Sequence, residues 1–164
     1  MELRIADFEK LTGHYQRFRD GMKVIEHKKE EFLKRIEPLK NEMNNIIQAH
    51  NSGLVLDNRS SAERQKRFTE LQQEFMSLEK DINFELKKYK ENLTKNVYDD
   101  LEDLVKNYAV DNKIDCVMGK LECVYISPEF EITDEILEVL KSKGQFVEMP
   151  IEKEEQEAES QHLS

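Results

Sequence analysis

Residues 11–47 read LTGHYQRFRDGMKVIEHKKEEFLKRIEPLKNEMNNII, and their spacing decides the fold. Leu11, Tyr15, Phe18, Met22, Ile25, Lys29, Phe32, Ile36, Leu39, Met43 and Ile46 advance by steps that alternate between four and three residues. Only Lys29 interrupts the apolar stripe. A mean step of about 3.5 residues is the coiled-coil period, in which one narrow seam of a long helix faces a partner helix. Gly21 weakens such a helix by about 1 kcal/mol relative to Ala. Pro38 removes one backbone hydrogen bond and crowds the preceding turn. Because the stripe keeps its phase across Pro38, the expectation is a kink and not an end.

Outward from this stretch, His50-Asn51-Ser52-Gly53 stops the helix, with Gly53 suited to a left-handed cap. Leu54-Val55-Leu56 and Asp57-Asn58-Arg59 follow, and Ser60 with Glu63 forms a capping box for the next helix. That helix carries Phe68, Leu71, Phe75, Leu78, Ile82, Leu86, Tyr89, Leu93, Val97, Leu101, Leu104 and Tyr108. Its mean step is about 3.6 residues, with weaker supercoiling where four-residue steps recur. Two long helices joined by a short turn run antiparallel. The reading is a helical-hairpin arm over 11–110 with its tip near 50–61.

The ends of the chain change period. Leu3 and Ile5 mark a short strand within Glu2 to Phe8, while Ile114 to Met118 and Cys123 to Ile126 flank a turn and predict a strand hairpin. Thr133 then caps a short helix from Asp134 to Lys143, closed by Gly144, and Gln145 to Met149 suits one more edge strand. So few strands bury too little surface to stand alone. Residues 1–10 and 111–150 are therefore expected to form a small body that folds with copies of itself, with Leu3, Ile5, Val117, Val124 and Ile126 as its oligomerisation candidates. The fold class is mainly α with a small β body, a long antiparallel hairpin of coiled-coil arms projecting from a short-stranded oligomerisation base.

Composition agrees. Charged residues make up 37% and aromatics 8%, with no Trp, which suits long exposed helices better than a packed globule. The net charge of −10 opposes nucleic-acid binding through phosphates. Acidic and basic residues balance over 11–110, and the acidity collects in the last third, ending in a Glu-rich segment, 151–164, that reads as a disordered tail. No run of about 18 apolar residues is present, so no membrane insertion is expected. Met1-Glu2-Leu3-Arg4 shows no apolar leader, which gives a cytoplasmic location as written and a periplasmic one if Met1 replaces a removed leader. Cys116 and Cys123 are placed on the two hairpin strands, read as reduced apolar side chains, with a cross-strand disulfide as the alternative.

Catalytic signals are missing. His14, His27, His50 and His162 have no ligand spacing with one another or with cysteine, and there is no phosphate-binding glycine loop or nucleophile elbow. The expectation is no enzyme activity, no metal and no cofactor. Binding is better supported. Leu54, Val55 and Leu56 place three apolar residues at the tip, where they either close the turn on Ile46, Ile47 and Phe68 or touch a partner. Lysines on facing helices, among them Lys28, Lys29, Lys87 and Lys88, either solvate the arm or attract acidic partners.

At Ile5-Ala6-Asp7-Phe8-Glu9-Lys10-Leu11 with His14-Tyr15, the chain resembles the opening of the Skp/OmpH family of trimeric periplasmic chaperones. Lys113 to Met118, Val124-Tyr125-Ile126-Ser127-Pro128 and Glu131 to Leu137 resemble its closing block, so the likeness covers about residues 3–143. The resemblance implies a homotrimer whose strands share a barrel-like body, and three arms around a cavity that holds unfolded outer-membrane proteins without ATP. Two departures stand out: no export signal, and acidity where the best-known member is basic. The alternative class is a structural or assembly coiled coil for one specific partner, cytosolic or virus-borne. A prefoldin-like chaperone is disfavoured because prefoldins set their strand hairpins between the arm helices, whereas here the helices are joined by a short turn.

Overall fold

A computed structural model describes residues 1–53 and 57–149. The expected tip contacts Leu54, Val55 and Leu56, and the acidic tail 151–164, lie outside the described residues. The element order is β1 (Leu3–Ala6), α1 (Phe8–His14), α2 (Gln16–Asn51), α3 (Asn58–Asp111), β2 (Cys116–Gly119) and α4 (Thr133–Ser142), with short 3₁₀ turns at Lys120–Glu122 and Pro128–Phe130. The chain divides into two compact units, residues 1–20 with those from Thr94 onward, and Gly21–Leu93. The first is larger than the body expected at 1–10 and 111–150, because the C-terminal turns of α3 bury Val97, Leu101, Leu104 and Val105 within it.

In that unit β1 and β2 pair in parallel, Leu3 opposite Cys116 and Ala6 opposite Gly119. The backbone N–H of Ile132 donates to Ile5 on the other side of β1. Ile5, Ala6, Leu11, Ile136, Leu137 and Leu140 complete the core. Asp7 caps α1 by accepting from the Lys10 N–H at 3.0 Å. Its own N–H donates to Thr133 Oγ1 at 2.9 Å, and that hydroxyl donates to Glu131. Thr133 is thus a buried cross-link in the first turn of α4, not the side-chain cap expected of it; Ile132 holds the cap position. Gly144, at φ +67°, ends α4 with two reverse bonds, its own N–H to Lys141 and that of Gln145 to Leu140. Lys113 plays the same part after α3 at φ 56°, with Ile114 N–H bonding Ala109.

Three expectations for this unit are corrected. No strand forms over Cys123–Ile126, so β2 has no hairpin partner among the described residues. After Gly119 the chain turns into 3₁₀ geometry at Lys120–Glu122, and the Lys120 ammonium binds Glu131 at 3.1 Å. Cys123 consequently caps a turn instead of sitting on a strand, and both cysteines are free thiols. The predicted edge strand Gln145–Met149 makes only an isolated bridge, Phe146 with Tyr15. The helix expected to be continuous from Leu11 breaks at Tyr15, whose ψ of 122° is extended.

In the second unit α2 and α3 run antiparallel: Gly21 meets Leu93, Lys28 meets Glu85 and Glu42 meets Arg67 as the chain ascends one helix and descends the other. Ile25, Ile36 and Leu71 are buried at the seam, while Phe18's successors Met22, Phe32, Leu39, Met43 and Ile46 are half-buried. Two helices cover only one face of each other, so a heptad stripe is buried at its centre and open at its edges. Pro38 lies inside α2, which runs on through it as the unbroken phase requires. α2 ends at Asn51 with Gly53 at φ +70°, as expected. α3 begins earlier than the Ser60 box predicts. Asp57 accepts the Ser60 N–H at 2.8 Å, and an aspartate is as good a cap as a serine, so the helix starts at the first one available.

Candidate functional site

The helices of the second unit pack along a partly buried stripe, and several large apolar side chains off that stripe face water. Met76 is 67% exposed and Phe84 69%, both on α3, and Leu33 on α2 is 56% exposed. Met76, Lys80, Phe84 and Lys88 follow one another at four-residue steps and are all exposed, so they form a single ridge on the outside of α3. Lys87 also neighbours Phe84, three residues on. On α2, Lys29 and Leu33 repeat the motif of an ammonium beside an apolar side chain, four residues apart. Such a surface offers dispersion contacts to apolar segments and donors to carboxylates and backbone carbonyls, with no pocket to demand one shape.

The four candidate lysines therefore divide. Lys29 and Lys88 are exposed beside apolar side chains and form no ion pair among the described residues. Lys87 is 3.9 Å from Glu91, a weak contact on its own helix. Lys28 is half-buried and donates to Glu85 across the helix pair, and this bond raises its pKa, so it ties the helices together. Arg67 grips Glu42 through two bonds of 2.7 and 2.9 Å, which holds the Glu42 carboxyl below its ordinary value. Met76, Phe84 and Leu33 are not legible from the stripe, because they lie off it. The available signal was the opposite one: large apolar residues off it.

The first unit holds the oligomerisation candidates. Leu3 and Val117 are half-buried on the β1–β2 pair, and Ile5, 3% exposed, is consumed by the core of its own unit. Ile126 is half-buried, while Val124 stands fully in water beside exposed Leu121 and Tyr125. An open groove of about 450 Å³ runs along β2, lined among others by Cys116, Met118, Tyr98 and Val110. Tyr98 stacks on Phe8 at 5.2 Å. Elsewhere in the unit Asp100 accepts from Tyr15 Oη at 2.9 Å and from Arg17 at 2.5 Å. Burial first, and this carboxylate second, raise the Tyr15 pKa.

Among the described residues no group of His, Cys, Asp and Glu is arranged to hold a metal ion, and no helix is long and apolar enough to cross a membrane. A search of curated proteins finds no match to the chain. The family described as outer membrane protein (OmpH-like) matches residues 4–140, which takes in the helical hairpin, β2 and most of β1 and α4. The chain belongs to the OmpH-like family.

Proposed function

We propose that this protein is an ATP-independent holdase that binds unfolded polypeptides, outer-membrane proteins foremost, as a homotrimer with clients held between its helical hairpins. Family membership supports a chaperone-type role in general. The observation that carries the finer reading is the Met76–Lys80–Phe84–Lys88 ridge, which leaves a phenylalanine and a methionine in water on α3, away from the seam with α2. Burying each against a client is worth at most about 1.5–3 kcal/mol. Single contacts of that size are weak and exchange quickly, and several in one assembly hold a chain by effective concentration. The trimer is supported by exposed Leu121, Val124 and Tyr125 and by a β2 edge with no further strand among the described residues. Nothing in this reading calls for catalysis or a cofactor. Its clients are met in the periplasm, the compartment the proposal assigns.

Aggregation assays test the reading. A β-barrel outer-membrane protein diluted out of urea scatters light as it aggregates. The proposal expects suppression at stoichiometric trimer, unchanged by adding ATP. No suppression of any unfolded protein, or saturable binding to one folded partner only, overturns it in favour of an assembly coiled coil.

A further inference from the structure

Between Phe8 and Asp20 there is no proline, and Leu11, Tyr15 and Phe18 keep the spacing of one helix, yet the helix breaks at Tyr15. At the break, Gln145–Met149 takes the backbone groups that a helix would use. In a continuous helix the Gln16 N–H donates to the Thr12 carbonyl and the His14 carbonyl accepts from Phe18. Here the Gln16 N–H donates to Gln145 O at 2.8 Å, and the His14 carbonyl accepts from the Val147 N–H at 2.8 Å. His14 closes the ring by donating Nδ1–H to Val147 O, also at 2.8 Å. Its imidazole stacks on Phe146 at 4.9 Å and 8°, and the Lys141 ammonium sits 4.8 Å from the centre of the same ring. Met149 packs on Gly13, where a Cβ would come within 2.8 Å of its sulfur. The Gly13 carbonyl, a helix acceptor in its own right, is taken by the Arg19 side chain at 2.8 Å.

We propose that Gln145–Met149 is a strap that switches the α1–α2 junction between two states. Docked, it intercepts the ladder at His14 and Gln16 and holds Tyr15 extended. Undocked, the same groups bond within the chain and α1 joins α2 as one helix. A ligand that captures Phe146 and Val147 thereby changes helix continuity at Tyr15. This inference is independent of the holdase reading, since it needs no client.

The test is the Cα secondary chemical shift of Tyr15 by nuclear magnetic resonance, in the full chain. Phe146→Ala/Val147→Pro removes the stacked ring and the donor to His14. The expected result is a sign reversal at Tyr15, from extended to helical. His14→Ala, at a half-buried position, serves if the double variant fails to fold, and it is expected to move the shift in the helical direction. Tyr15→Phe is the control: it deletes the bond to Asp100 and is expected to leave the shift extended. A Tyr15 that stays extended with the strap ties removed, or turns helical in Tyr15→Phe alone, overturns the proposal.

Discussion

Gly21→Ala separates a glycine that is merely tolerated from one that the helix pair requires. On an exposed helix the change stabilises by about 1 kcal/mol. At Gly21 an added Cβ would lie 2.4 and 2.5 Å from the two Leu93 methyl carbons and 3.0 Å from Leu93 Cγ. Leu93 is itself buried, 9% exposed, so it has little room to turn away. Overpacking of this kind costs about 1–3 kcal/mol. The difference is a net destabilisation of about 0–2 kcal/mol, and each kcal/mol lowers Tm by roughly 2–4 °C in a chain of this size. Leu93→Ala alone costs about 2–5 kcal/mol through the cavity it leaves. In the double variant the alanine at 21 occupies part of that cavity, so the two effects fall short of additivity by about 1–3 kcal/mol. Thermal unfolding at one fixed protein concentration reads all four corners of the cycle. A Gly21→Ala variant stabilised by the full ~1 kcal/mol, and additive with Leu93→Ala, would refute the close packing of α2 on α3 at this point.

Three further outcomes are expected. Thr133→Val keeps shape but deprives the Asp7 N–H of its acceptor at a position 1% exposed, so urea unfolding should show a loss of about 1–3 kcal/mol at unchanged slope. Lys113→Gly relieves a left-handed residue at φ 56° and should gain stability by up to about 1 kcal/mol; a loss would mean that the lysine side chain is needed there. The Arg67 bond lowers the pKa of Glu42 in the folded state, so its contribution is present above the ordinary carboxylate value and is lost as pH falls through the lowered one. Acid titration followed by circular dichroism should therefore show Arg67→Gln unfolding at a higher pH than wild type, with the gap shrinking in salt.

How far sequence led is clearest at particular residues. The stripe from Leu11 to Ile46 was legible because a seam between helices imposes its period on the chain, and Gly53 and Gly144 because only a left-handed turn uses glycine in that way. Tyr15 was not legible, since the backbone groups on either side of its break bond to Gln145 and Val147, more than a hundred residues away. Val124, Tyr125 and Ile126 favour a strand by composition, but a strand needs a neighbour, and the chain turns into 3₁₀ geometry at Lys120–Glu122 before one can form. Parallel pairing of β1 with β2 was hidden for the same reason, because alternation names a strand and not its partner. At the candidate site the lysines were found from charge alone. Phe84 and Met76, which give two of their number a context, needed the burial of the seam to be seen as exposed.

The most direct test of the account is the affinity for an unfolded client, measured by fluorescence titration of a labelled, urea-denatured outer-membrane protein into the full chain and into Met76→Ser/Phe84→Ser. Both substitutions are at exposed positions, so fold and solution mass should stay as they are. The account predicts that the variant binds at least about tenfold more weakly, the equivalent of about 1.4 kcal/mol from the two side chains together. Equal affinity for wild type and variant, or no binding by wild type, would contradict it.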